Sequence, residues 1–355
     1  MSLILVINPG GGSTKIAVFD DEACVFKGSL PHDRTLVSFE DILAHKDDLE
    51  KDIMDALGRG GIDPATLDAI VGRGGALKPM ESGTYQANEQ LASDIRNGAV
   101  QAKHASNLGG LLAYELGVRL GKPGFMVDPV SVDEFIAEAR LSGLPELERK
   151  SLDHPLNSKM VARKAAKELG RSYAEINVIV AHLGTGISVG AHEKGRMIDV
   201  NNAHDGGPFS TQRAGSLPVT QLADLCFSAK YTREEIYARL TSKGGLSAYL
   251  GTDDVAEAER RARAGDEQAR LVLGAMAYQI AKEIGASAAV LRGKVDALIF
   301  TGGIAFSQYV VGLVRERVGF ITPNIFVYPG EHEMESLAQG ALRVLRGEEA
   351  AKVYR

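Results

Sequence analysis

The sequence predicts an α/β chain made of two copies of one unit, each opening on a three-stranded antiparallel meander and later adding strands joined by helices. Two internal matches carry that expectation. "LVINPGGGSTKIAVFDDEACVFKGS" from residue 5 and "VIVAHLGTGISVGAHEKGRMIDVN" from residue 178 both read strand, glycine turn, strand, short turn, strand. "DAIVGRGG" (68–75) and "DALIFTGG" (296–303) both run a short apolar strand into a Gly-Gly pair. Each match has one member in each half of the chain, and both occur in the same order, as a duplication requires.

Taken in order, Leu3 to Ile7 form a first strand that Asn8 and Pro9 end, and Ile16 to Phe19 form a second that stops at Asp20 and Asp21. The loop between them matches neither G-x-G-x-x-G nor G-x-x-x-x-G-K-[ST], both of which open helices. Gly10, Gly11 and Gly12 therefore join strand to strand. In such a turn glycines allow φ > 0 and let backbone N–H groups meet a ligand that a Cβ would exclude. Residues 88–120 carry helical spacing broken near 103–110. Residues 157–169 and 252–264 read as amphipathic helices with Asn157 and Thr252 as N-caps. In the second copy His182 stands where Asn8 stands in the first, at the end of the opening strand. The stretch 267–293 is rich in alanine and apolar on most faces, which predicts a central buried helix; further helices are expected over 304–318 and 334–347. No Pro/Ser-rich linker or charge block separates the halves. The organisation expected is an N-terminal lobe over 1–155, completed by a C-terminal helix over 336–355, and a nucleotide-binding C-terminal lobe over 156–335. The two lobes are expected to pack around a cleft, where two turns of backbone N–H groups suit a polyphosphate.

Composition narrows the function class. A chain of 355 residues has room for about two cores, and 45% hydrophobic with 24% charged residues is the balance of an ordinary globular protein. A net charge of −6 argues against a broad nucleic-acid surface. No uncharged run approaches a membrane span, and the apolar run at Leu3 to Ile7 is too short for a signal peptide. A cytoplasmic protein is expected. Cys24 and Cys226 form no C-x-x-C pair, which suggests neither zinc nor a disulfide; their apolar neighbours predict buried thiols.

The segments "INPGGGSTK" (7–15), "VGRGGALKP" (71–79), "KHASNLGG" (103–110), "MVDP" (126–129), "AHLGTGISVG" (181–190), "STQRAGSLP" (210–218) and "TGGIA" (301–305) are recognisable together. The chain resembles the acetate and butyrate kinase family of the actin, sugar-kinase and Hsp70-type ATPase superfamily, over residues 3 to about 345. Its length, the Asn8-Pro9 start and Thr185 look more like butyrate kinase than acetate kinase. The resemblance implies a duplicated ribonuclease H-like (actin-like ATPase) fold and Mg²⁺-dependent phosphoryl transfer between ATP and a small carboxylate. It further implies a homo-oligomer, with no nucleic-acid or membrane partner.

That chemistry needs particular residue types. A carboxylate is ionised at neutral pH, so the attacking oxygen needs no general base but needs relief from repulsion. Arginine, permanently charged and bidentate, meets that need where the transferring phosphoryl group spreads its charge. Arg73 follows an apolar strand, at the end where open α/β sheets bind ligands, and Arg213 lies in the other half. By resemblance both are catalytic, His182 donates to the moving phosphoryl group, and Asp128 orients an arginine or holds the metal through water. On the residues alone, Asp128 also reads as a cap for a helix starting near Val132. His154 sits where the family has a second active-site histidine; His104 is a weaker candidate. Ser13, Lys15, Gly184, Thr185, Gly186, Gly302 and Gly303 are the expected phosphate contacts. Asn8 and Glu333 match metal-associated positions, with Glu331 and Glu335 close in register. "GGLSAYLGTDD" (244–254) has Tyr249 and Gly251 where acetate kinases carry nucleotide-gripping residues, which leaves the base preference open. Other readings stay open as well: an acetate or propionate kinase, an actin-like ATPase switch, and an alcohol kinase with Asp128 as its base.

Overall fold

Strands form at the apolar runs that flank the glycine turns. The computed structural model describes residues 1–32, 39–151 and 153–355. The chain divides into two compact units, one of Met1–Asp133, Pro155–Asn157 and His332–Arg355, the other of Glu134–His154 and Ser158–Glu331.

In the first unit β1 (Leu3–Pro9), β2 (Ser13–Asp20) and β3 (Ala23–Pro31) make the antiparallel meander. β4 (Ala69–Arg73), β5 (Thr84–Gln86), β6 (Gly124–Val127) and the C-terminal β12 (Lys352–Val353) extend it to the order β12-β5-β6-β4-β1-β2-β3. β1, β4 and β6 run parallel. Both faces of β1 are buried, which is why its sequence is a continuous apolar run rather than an alternation. Leu5 and Ile7 join a core with Leu57, Leu91 and Leu112 of three helices. Ile4 and Val6 face Leu337, Ala338 and Ala341 of the helix Glu333–Leu345.

One close approach sets the end of β4. A Cβ on Gly72 would lie 1.7 Å from the carbonyl oxygen of Gly109, and one on Gly109 would lie 2.6 Å from the Arg73 nitrogen. Strand and helix touch backbone to backbone there, which only glycine permits. The Arg73 main chain is thereby pinned against the start of the helix Leu108–Leu120.

A second polar feature of this unit lies away from the sheet ends. Glu50, on the helix Lys46–Arg59, is 8% exposed and sits beside Glu115. Burial, then the hydrogen bond and charge of Glu115, push its carboxyl up to about 7, against Arg119 and Lys46. Arg96 and Lys46 bridge Glu115 at 2.6 and 3.0 Å. A carboxyl raised in the folded state holds its proton more tightly than the unfolded chain does, so stability falls as pH rises from about 4.5 through about 7. Glu50→Gln removes that loss. Its urea midpoint is expected to match the wild type at pH 5 and to exceed it at pH 8 by an amount equal to about 2 kcal/mol, discounted for screening by the half-exposed cations.

The second unit repeats the plan. β7 (Asn177–Leu183), β8 (Ile187–Glu193) and β9 (Arg196–Val200) form its meander, and β10 (Ala297–Gly302) and β11 (Ile325–Pro329) complete the order β11-β10-β7-β8-β9. β10 pairs parallel with β7, as β4 does with β1. The helix Glu267–Val290 packs Leu273, Ala277, Ile280 and Ile284 against Ile179, Val189 and Leu298 of the sheet.

Several expectations need correction. Cys24 and Cys226 are exposed: Cys24 lies on the edge strand β3, and the helix Val219–Phe227 buries none of its residues. The helix Glu267–Val290 is central but keeps one open side, with Leu271 71% and Tyr278 52% exposed. Asn157 is the third helical residue of Pro155–Glu168 rather than its cap, because Pro155 takes the first position, where its missing N–H costs nothing. Asp254, not Thr252, caps Val255–Arg263, accepting from the Ala256 nitrogen at 2.8 Å. No helix starts near Val132; the chain turns there, with Val132 donating to the Pro129 carbonyl. None of Gly10–Gly12 adopts φ > 0. Among the described residues no helix is long and apolar enough to cross a membrane.

Candidate active site

In the first unit the candidates gather at the carboxyl ends of the parallel strands. Asn8 is the second-last residue of β1 and Arg73 ends β4. Glu333 opens the helix Glu333–Leu345, where a carboxylate is favoured by the helix dipole. The three meet. Arg73 Nη2 lies 2.8 Å from Glu333 Oε1, and Arg73 Nη1 donates to Glu333 Oε2 at 3.1 Å and to Asn8 Oδ1 at 3.3 Å. Asn8 Nδ2 closes the triangle on Glu333 Oε2 at 2.7 Å. Of the neighbouring acids, Glu335 lies 3.9 Å from Lys27, and Glu331 lines a cavity of the second unit.

Arg73 pairs in register with Val127, so Asp128 follows immediately beside it. Asp128 is 2% exposed and has φ +36°, a conformation rare outside glycine, and its Oδ1 accepts from Ser82 Oγ at 2.6 Å and the Gly83 nitrogen at 2.8 Å. It holds the 82–83 segment rather than capping a helix. Lys15 is exposed and stands opposite Asn8 across the hairpin; Ser13 is half-buried, and its carbonyl accepts from the Gly10 nitrogen. Gly11 and Gly12 face open space, leaving their backbone approachable. Burial, then the charge of Arg73, hold His104 below its ordinary pKa.

In the second unit two groups form. His182, buried at the end of β7, is stacked on His154 with ring centroids 4.0 Å apart and planes 11° apart. Burial, then His154, hold its pKa well below the ordinary histidine value, with Asp153 opposing. His182 is therefore a neutral imidazole at pH 7, a donor without charge.

The other group is the loop Gly184–Gly186 with Arg213. Ser210 Oγ donates to the Thr185 carbonyl and accepts from the Arg213 nitrogen at 3.1 Å, so loop and arginine are fastened together. Arg213 Nη1 donates to the Ala203 carbonyl at 3.0 Å and passes where a Gly186 Cβ would be, 2.0 Å away. Burial lowers its pKa, with Asp205 opposing, yet a guanidinium stays charged at neutral pH. Among the described residues no carboxylate lies within 4 Å of it. It is a half-buried cation seated behind a glycine loop, ready for an anion.

Beside that loop lies a cavity of about 450 Å³. Gly184, Thr185 and Gly303 form one side; Asp253, Asp254, Glu259 and Phe306 are among the rest. Gly302 has φ +87° and abuts the Leu183 carbonyl, which turns the chain into the cavity at Gly303. The acids of this wall were not among the sequence candidates. Their signal was present at Asp254, the N-cap that begins an apolar-periodic stretch, but was displaced two residues. Asp153 offered no signal at all.

Among the described residues no three His, Cys, Asp or Glu side chains gather as a metal cage. Magnesium keeps waters and phosphate oxygens and asks for one or two carboxylates, and Glu333 beside Asn8 fits that modest demand.

Residues 149–325 match the model of the acetokinase family. Among solved structures, acetate kinase from Porphyromonas gingivalis superposes with a TM-score of 0.77 at 20% identity, covering 97% of this chain and 100% of that one. A propionate kinase from Francisella tularensis subsp. tularensis SCHU S4 gives 0.71 at 21%, covering 96% and 99%. Acetate kinase from Entamoeba histolytica gives 0.75 at 16%, covering 96% and 98%. These likenesses show the fold, the duplicated actin-like ATPase fold with its two sheets. Over residues 149–325, just under half of its length, the chain is similar to the acetokinase family.

Proposed function

We propose that this protein transfers the terminal phosphoryl group of ATP to the carboxylate of a short fatty acid, reversibly, with butyrate or a branched C4 acid as the preferred acceptor. The observation that carries the reading is Arg213, a half-buried guanidinium bonded to a carbonyl behind a glycine loop, with no carboxylate within 4 Å among the described residues.

The nucleotide belongs in the 450 Å³ cavity. Asp253, Asp254, Glu259 and Glu331 accept hydrogen bonds from ribose hydroxyls and amino groups and repel phosphates. The phosphates consequently lie toward Gly184–Gly186 and Arg213. As the bond from the γ-phosphorus to the bridging oxygen breaks and the carboxylate oxygen bonds to that phosphorus, ADP leaves with the electron pair. Arg213 opposes the negative charge on the equatorial oxygens, and neutral His182 donates a hydrogen bond to one of them; Arg73, of the first unit, is the second arginine that the sequence resemblance suggests for catalysis. Asn8 and Glu333 would hold Mg²⁺, which when bound neutralises phosphate charge. Asp128, already accepting two hydrogen bonds at Oδ1, serves as a brace for the neighbouring loop. An alcohol kinase would need that carboxylate as a base, so the geometry favours an acceptor that is already ionised.

Preferring butyrate over acetate means burying two more methylenes, about 1.6 kcal/mol or roughly fifteen-fold in kcat/KM. The test is formation of acyl hydroxamate from ATP, Mg²⁺ and hydroxylamine with acetate, propionate, butyrate, isobutyrate and glycerol, following ADP in parallel. The expected result is hydroxamate from all four acids, with a C4 acid first by roughly that factor. Acetate ranking equal to butyrate would leave a general short-chain acid kinase; ADP release without hydroxamate would point to an alcohol kinase or a nucleotide-driven switch.

A further inference from the structure

Asp153 is a carboxylate that the reaction outlined above does not use, and its surroundings are unusual. Its side chain is 2% exposed, a costly position for a charge without a partner. Among the described residues the nearest basic group is His154, whose Nδ1 lies 3.7 Å from Asp153 Oδ1. Ser158 Oγ, one turn into the following helix, lies 3.0 Å from Asp153 Oδ2 and 2.8 Å from the His154 carbonyl. His154 Nδ1 also lies 3.2 Å from Ser188 Oγ on β8. The same edge of the imidazole thus faces a carboxylate and a hydroxyl, and the opposite edge is left for other work. Burial alone would raise the Asp153 pKa; the neighbouring His154, then Ser188, hold it below the ordinary value instead.

The helix does not explain this carboxylate. His154 occupies the N-cap position without a side-chain capping bond, and Pro155 has no N–H to satisfy. The ring of His154, however, is stacked on that of His182. His182 Nε2 in turn points to Gly184, 3.2 Å from where a Cβ would stand. A chain of fixed orientations runs from Asp153 through His154 and His182 to the glycine loop.

We propose that Asp153 is a positioning residue: it fixes the plane and the Nδ1–H tautomer of His154 and, through the stack, the direction in which His182 presents its ring at the loop Gly184–Gly186. A carboxylate is negative and has no hydrogen to give, so at 3.7 Å from Nδ1 its field favours the tautomer with hydrogen there. Two imidazoles 4.0 Å apart and nearly parallel cannot turn independently. Losing the anchor of one loosens both. The consequence for turnover rests on the phosphoryl-transfer reading; the orientation itself does not.

The experiment uses the full chain labelled with ¹⁵N-histidine at pH 7, without nucleotide, the two rings being assigned with His154→Gln and His182→Gln. Asp153→Asn keeps the shape and one acceptor oxygen. The expected result is a displaced ring-nitrogen signal for both His154 and His182 at an unchanged melting temperature. In the transferase assay kcat is expected to fall about ten- to a hundred-fold, with both KM values within about two-fold. Unchanged signals for His182 overturn the proposal, as does unchanged kcat beside an active wild type. Should Asp153→Asn fail to fold, Ser158→Ala, which frees the carboxylate without uncharging it, is expected to move both signals by a smaller amount; wild-type signals in that variant overturn the proposal equally. If the wild type shows no transfer to any carboxylate, the functional reading fails while the ring signals still decide the role of Asp153.

Discussion

Arg213→Ala is expected to lower kcat for phosphoryl transfer by roughly two to three orders of magnitude, the cost of removing one preorganised charge from a transition state that spreads negative charge over three oxygens. The nucleotide KM should change far less, because the cavity walls proposed to hold base and ribose belong to other residues. The argument rests on how the guanidinium is held. Its backbone is tied to Ser210, Ser210 is tied to the loop at Thr185, and Nη1 is tied to Ala203. The charge therefore needs little reorganisation when the phosphoryl group arrives. Gly186→Ala provides an independent check that leaves the charge in the protein. Its Cβ would stand 2.0 Å from Nη1, so the guanidinium must leave its seat, and kcat should fall by at least tenfold. Steady-state kinetics on variants with wild-type circular dichroism decide the matter. A loss below fivefold for Arg213→Ala would remove it from the reacting groups.

Arg73→Ala is expected to produce a loss of the same order, roughly a hundred- to a thousand-fold in kcat. Its situation differs from that of Arg213, since Glu333 already pairs with it through both nitrogens and Asn8 joins them. Alanine here removes a charge and also leaves Glu333, 19% exposed in its side chain, with the Asn8 amide as its remaining side-chain partner among the described residues. Because the three residues act as a unit, the double variant Arg73→Ala/Glu333→Ala should lose no more than the larger single variant. Fully additive losses would show that the two side chains serve separate steps. The main chain at this point is held by the contact of Gly72 with Gly109, so the substitution should leave the melting temperature nearly unchanged.

Much of the architecture was legible because it is local. A strand, a glycine turn and a second strand are written in consecutive residues, and the hairpins at 10–12 and 184–186 and the Gly-Gly turns after β4 and β10 appear where the text places them. The repeat made the shared plan legible but not the pairing, and the structure shows β4 beside β1 and β10 beside β7 as one arrangement used twice. Burial was harder to read. Apolar neighbours around Cys226 mark one side of a helix, but that helix finds no core to enter, and the cysteine stays exposed. The caps moved by a few residues for a similar reason: Pro155 and Asp254 compete with Asn157 and Thr252, and hydrogen-bond geometry, not residue type, selects the winner.

What the sequence determined by itself is the duplicated α/β plan, the strand ends that carry Asn8, Arg73 and His182, and the glycine turns beside them, because pattern and backbone freedom act over a few residues. What only the tertiary structure decided is which side chains meet. Glu333 reaches Asn8 and Arg73 from more than 250 positions away, Arg213 takes the space that Gly186 leaves empty, and a buried Asp153 stands behind the stacked histidines. Except for Asp153 and its neighbour His154, those contacts join residues well separated along the chain, and their strength comes from burial and exclusion of water, which no short stretch of sequence contains.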